Sequence, residues 1–165
     1  MRLCQSWRLR KMVATTNTPA FAVTKSADQT INDVTRTTVT FDVEDFDTDA
    51  AFASNKFTCP AGKPGLYLFQ VELFVQSGSD DMGTCQLDLH KNDTTNIAGT
   101  EVFDTSGTSS SYMARISHIE SMAAGDTMEC KIYADIGSSG TLNVNQSNQN
   151  SDNRTRFHGF RVAGL

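Results

Sequence analysis

An antiparallel all-β sandwich is the fold class this sequence predicts, on three observations. Apolar and polar residues alternate with period two in several segments. The stretches between them are rich in Gly, Ser, Thr, Asn and Asp, which form turns and strand edges more readily than helices. No segment holds a sustained 3.6-residue period with caps. The 165 residues suit a single unit of this class. No apolar run approaches the roughly eighteen residues that a membrane-spanning helix needs, so no membrane span is expected.

The elements follow in order. Pro19-Ala-Phe-Ala-Val23 begins a strand. Val39, Phe41 and Val43 alternate with Thr38, Thr40, Asp42 and Glu44, which predicts a half-buried strand with one wet face. Cys85, Leu87 and Leu89 alternate with Gln86, Asp88 and His90 in the same way, placing His90 on a wet face. Met128, Cys130, Ile132 and Ala134 alternate with Thr127, Glu129, Lys131 and Tyr133. Met122-Ala-Ala-Gly125 reads as a turn, because Asp126 and a new strand follow at once. Asn143 to Asn153 reads as a long exposed loop, or as a polar edge strand plus a loop.

One strand differs. In Leu66 to Val75 one face is Tyr67, Phe69, Val71, Leu73 and Val75, wholly apolar. The other carries Leu66, Leu68 and Phe74 beside Gln70 and Glu72. A face left to solvent should be polar. Another copy of the chain is the simplest cover, with Leu66, Leu68 and Phe74 as its contacts; a loop laid across the strand is the alternative.

Charge divides the chain. Residues 1–19 carry Arg2, Arg8, Arg10 and Lys11 and no acid. The remainder holds ten basic side chains and all nineteen acids, a charge of −9. So acidic a body is not expected to track nucleic-acid phosphates. The expected division is a basic arm over residues 1–18 and a domain over 19–165. The arm lacks the apolar stretch of a secretory signal, and either Met1 or Met12 serves as a start. Trp and Arg are residue types enriched in docking anchors, so the arm, with Arg2, Trp7, Arg8, Arg10 and Lys11, is read as a docking segment, with a plain leader as the alternative. The cysteines, at 4, 59, 85 and 130, form no metal-binding spacing. Buried free thiols are expected at Cys59, Cys85 and Cys130, a single disulfide being the alternative.

Candidate chemistry is sparse. His90, His118 and His158 have no local nucleophile or orienting partner, and G-x-S-x-G, H-E-x-x-H and P-loop motifs do not occur. A non-enzymatic protein is expected. The acidic run Asp42, Glu44, Asp45, Asp47 and Asp49 reads as a solvated turn, and Asp80 with Asp81 is the better of two weak calcium candidates. Loops of Asn, Ser, Thr and Asp supply hydrogen-bonding groups for a host-surface glycan. The sequons at Asn92, Asn145 and Asn153 bear on function only in a secretory pathway.

The landmarks also form a pattern: Pro19-Ala-Phe-Ala-Val23, Val39-Thr-Phe-Asp42, Phe52 to Pro60, Gly65-Leu-Tyr-Leu-Phe69, Ala124-Gly-Asp126 and Phe157-His-Gly-Phe160. In this order they resemble the globular head of complement subcomponent q, a relative of tumour necrosis factor in one superfamily of trimeric jelly rolls. Two residues are added between Cys59 and Gly65, and the resemblance covers residues 19–163. Pro60 and Gly65 punctuate a turn, and Gly159 permits close backbone approach. The resemblance implies about ten short strands in two antiparallel sheets, packed as a homotrimer around a three-fold axis. Calcium near that axis in some family trimers is what keeps Asp80 and Asp81 under consideration. The expected function is a trimeric structural or attachment protein of a virion: a bacteriophage head decoration, a cement protein or a fibre knob. Its partners would be other copies of itself, a capsid or tail protein, and a host-surface glycan. A secreted, lectin-like pattern-recognition protein is the alternative.

Overall fold

The computed structural model describes residues 17–77, 82–104, 110–137, 140–145 and 155–164. Thirteen strands run through them: β1 (Ala20–Thr24), β2 (Gln29–Asn32), β3 (Thr37–Thr38), β4 (Val43–Asp47), β5 (Phe52–Ala53), β6 (Lys56–Thr58), β7 (Gly65–Gln76), β8 (Met82–Lys91), β9 (Thr95–Phe103), β10 (Ser111–Met122), β11 (Thr127–Ile136), β12 (Thr141–Val144) and β13 (Arg156–Gly164). Every pairing is antiparallel. Ten strands make two five-stranded sheets, in the orders β10-β7-β13-β1-β4 (sheet I) and β5-β6-β11-β8-β9 (sheet II). The three others are short additions: β12 and β2 extend sheet I, and β3 pairs with β11.

The two sheets close over an aromatic core. Phe21 of β1 stacks on Phe52 and Phe57 at 5.1 and 5.3 Å between ring centroids, and meets Phe157 of β13 edge-on at 5.0 Å. Tyr67 and Phe69 of β7 add two rings, both fully buried. Stacked and edge-on pairs of this kind hold more than their area alone would give. Cys59, Cys85 and Cys130 are buried free thiols. Burial pushes the Cys85 thiol up to about 12, so it stays protonated and packs as a small hydrophobe.

The structure corrects two expectations. The alternation of Val39, Phe41 and Val43 is not one strand. β3 belongs to sheet II and β4 to sheet I, and residues 39–42 cross between them. The Val39 amide donates to the Cys130 carbonyl at 3.0 Å and the Asp42 amide to the Thr24 carbonyl at 3.1 Å, so the crossing is anchored in both sheets. Val39 and Phe41 are buried as expected, but Val43 is 37% exposed. Second, the polar side of sheet II is not wet at its middle, though Glu101, Phe103 and Asp135 are exposed toward one end. Asp88, His90 and Glu129 are all under a tenth exposed. Arg36 lies across it, paired with Asp88, donating to Gln86 at 2.7 Å and stacked over the Tyr133 ring. Lys131 and Thr38 hold Glu129 at 3.0 and 3.1 Å. A charged network covers the face, as buried carboxylates require.

Candidate functional site

The outward face of sheet I is where the sequence-predicted contacts lie. Along β7 burial alternates residue by residue, and Leu66, Leu68 and Phe74 share the half-buried side. Side chains directly opposite one another in an antiparallel pair project to the same side. The register therefore builds cross-strand rows. One is apolar: Ile119 of β10, Leu68, Phe160 of β13 and Ala20 of β1. The next is mixed: Ser117, Gln70, His158, Ala22 and Phe46 of β4. The third is charged: Arg115, Glu72 and Arg156. Beyond it Met113 lies opposite Phe74, and at the other end of β7 Ser121 lies opposite Leu66. Ile119 and Phe46 are 54% and 50% exposed, a large apolar area for a surface with no cover.

Two hollows mark this face. One of 440 Å³ runs between β4 and β13, floored by Ala20, Ala22, Phe46 and Phe160, with Asp45 and Arg156 among its walls. The other, of 370 Å³, lies over Gln70, Glu72, Arg115, Ser117 and Arg156. His158 borders both, its Nε2 lying 3.0 Å from Oε1 of Gln70. Burial, and then the nearby Arg156 guanidinium, hold its pKa below the ordinary histidine value, against the opposing pull of Glu72. Glu72 is shared: Arg156 donates to Oε2 at 2.9 Å while Nε of Arg115 lies 3.4 Å from Oε1. Two guanidinium groups thus meet one carboxylate.

Leu66, Leu68 and Phe74 all stand on this face, but the mixed and charged rows separate Phe74 from Leu68. Ile119, Phe160, Ala20, Ala22, Phe46 and the charged row were missed by sequence reasoning. The period-two pattern of Met113, Arg115, Ser117 and Ile119 was available, but nothing local says which strand lies beside β7. The arm residues Arg2, Trp7, Arg8, Arg10 and Lys11, and the calcium candidates Asp80 and Asp81, lie outside the described residues. Among the described residues no group of three His, Cys, Asp or Glu side chains is placed to hold a metal ion. No described helix is long and apolar enough to cross a membrane.

Solved structures with this architecture include the globular domain of zebrafish complement 1qA, with 21% identity over 89% of this chain and 99% of that one, at a TM-score of 0.59. The Eiger tumour necrosis factor of S. frugiperda aligns over 88% of this chain and 93% of its own, with 12% identity and a TM-score of 0.55. No family model and no curated protein matches the sequence. The chain has the jelly-roll fold of the complement-q and tumour-necrosis-factor heads.

Proposed function

We propose that the protein is a non-enzymatic homotrimeric head that serves structure or attachment. The observation that carries this reading is the outward face of sheet I, where Ile119, Leu68, Phe160 and Ala20 form an apolar row across four strands. Covering each large apolar side chain there contributes roughly 1.5–3 kcal/mol, and a second and third copy supply the cover. Light scattering of the purified chain tests it: a mass three times that of the monomer is expected. Leu68→Asp, which sets a carboxylate in the middle of the apolar row, should give a folded monomer. A monomeric wild type across micromolar concentrations overturns the reading.

The head is placed on a virion, as a bacteriophage head decoration, cement protein or fibre knob. Two observations support this placement. Jelly rolls are common capsid building blocks, and the chain joins a basic arm to a body of charge −9. The arm would dock on an acidic or apolar surface of a capsid or tail protein, and the loops would face a host-surface glycan. A secreted recognition head is the second reading, favoured by the likeness to the zebrafish complement domain. Asn92, exposed in the turn between β8 and β9, separates the two. A glycan on Asn92 of the native protein supports secretion; unmodified protein copurifying with particles supports the virion.

A further inference from the structure

The charges on sheet I are arranged as two unmatched halves. At the β10 margin, Arg115 and Arg156 share the single carboxylate of Glu72, which among the described residues leaves one positive charge over. Arg115 is the less satisfied of the two, with its side chain 65% exposed and its one ion pair at 3.4 Å. At the opposite margin, β4 is exposed from Val43 to Phe46; Glu44 lies opposite core-facing Val23 and projects to the other side, whereas Asp45 lines the outward hollow beside Phe46 and forms no ion pair among the described residues. These margins are four strand spacings apart, about 19 Å, so no side chain of one copy spans them. They do share a height along the strands. Arg115 lies opposite Glu72, Glu72 opposite Arg156, Arg156 opposite Thr24, and Thr24 opposite Val43, two residues before Asp45.

A ring of identical subunits closes through a head-to-tail contact between two different patches, and rotation about an axis along the strands keeps each residue at its own height. We propose that these margins are the two halves of that contact: Arg115 on β10 of one copy pairs with Asp45 on β4 of the next. Each Asp45 then meets a guanidinium, and the surplus positive charge beside Glu72 is neutralised within the ring. The apolar rows supply the adhesion. The charge pair fixes which margin meets which, because like charges oppose the wrong pairing. The inference rests on the trimer reading and adds the direction and register of the contact.

Charge reversal tests it. Arg115→Glu, and separately Asp45→Lys, should each raise the concentration at which the trimer dissociates by about ten-fold or more at low salt, with a smaller effect at high salt. The double variant should return close to wild type. Circular dichroism verifies that each variant is folded. A second measurement avoids reversal altogether. In Arg115→Lys, a zero-length carbodiimide should couple the introduced amine to Asp45 of another copy, identified by mass spectrometry on mixed light and heavy chains. A trimer that ignores Arg115→Glu, or coupling to Glu72 alone, overturns this contact while leaving the trimer standing. A wild type that is monomeric overturns both.

Discussion

His90 is 8% exposed, on the polar side of β8, with Glu129 and Asn96 as its cross-strand neighbours. Neither ring nitrogen has a partner at hydrogen-bonding geometry, although the Asp93 backbone is near enough to favour the proton. Burial pushes its pKa below the ordinary value of 6.5, and the charges of Lys131 and Arg36 push it further, against the pull of Glu129. His158 is shifted the same way. The unfolded chain therefore takes up these protons first as pH falls. Stability is full above 6.5 and is lost between 6.5 and the depressed folded values. The melting temperature should drop from pH 7 to pH 5, above the range where carboxylates titrate. His90→Gln with His158→Gln should flatten that drop in differential scanning calorimetry; an unchanged slope assigns it to other groups.

Among the elements, β7 is the organiser. It pairs with β10 along its whole length and with β13 on its other edge, so it sets the register of sheet I. The close fit depends on Gly159 of β13. A Cβ there would stand 2.8 Å from the Leu68 carbonyl oxygen and 2.9 Å from the Phe69 ring, with the Phe21 ring at 3.0 Å. Backbone and packed rings cannot withdraw as a flexible side chain can. Gly159→Ala should cost roughly 1–3 kcal/mol in chemical denaturation, as overpacked cores do. A variant as stable as wild type would show that β13 can move off β7. The turn between β5 and β6 has its own local logic. Ser54 and Asn55 have φ of 53° and 65°, the mirror-image turn that two-residue hairpins favour. Asn55 also accepts the Phe41 amide at 2.8 Å, which ties the hairpin to the crossing between the sheets.

For the whole molecule, the middle of sheet II is covered by its own charged network, with Phe103 exposed at its β9 edge, while sheet I keeps an apolar row open across four strands. That difference is why assembly is assigned to sheet I. The basic arm is a separate matter, and Arg2 to Lys11 lie outside the described residues. Deleting residues 1–18 should leave the melting of the trimer nearly unchanged while abolishing its occupancy on particles, read by electron microscopy. Replacing Arg8, Arg10 and Lys11 with Ser should weaken docking most at low salt, since exposed charges act within a Debye length. Truncated trimers that decorate particles at wild-type occupancy would move docking to the loops of the body.

What the sequence by itself determined is whatever repeats locally. Period two placed Tyr67, Phe69, Val71, Leu73 and Val75 in the core and left Leu66, Leu68 and Phe74 on the second face, because successive strand residues point to opposite sides. Turn residues marked Gly125, whose φ of 88° suits glycine. The tertiary structure alone decided which strands are neighbours, and with them the rows that join Ile119 to Ala20 and Arg115 to Arg156. It also decided that Asp88, His90 and Glu129, polar in a period-two pattern, lie buried, Arg36 arriving from a distant segment to pair with Asp88 while Lys131 and Thr38 hold Glu129. Alternation reports the side of a strand on which a residue lies. What covers that side depends on chain segments far away in sequence, whose positions no local pattern encodes.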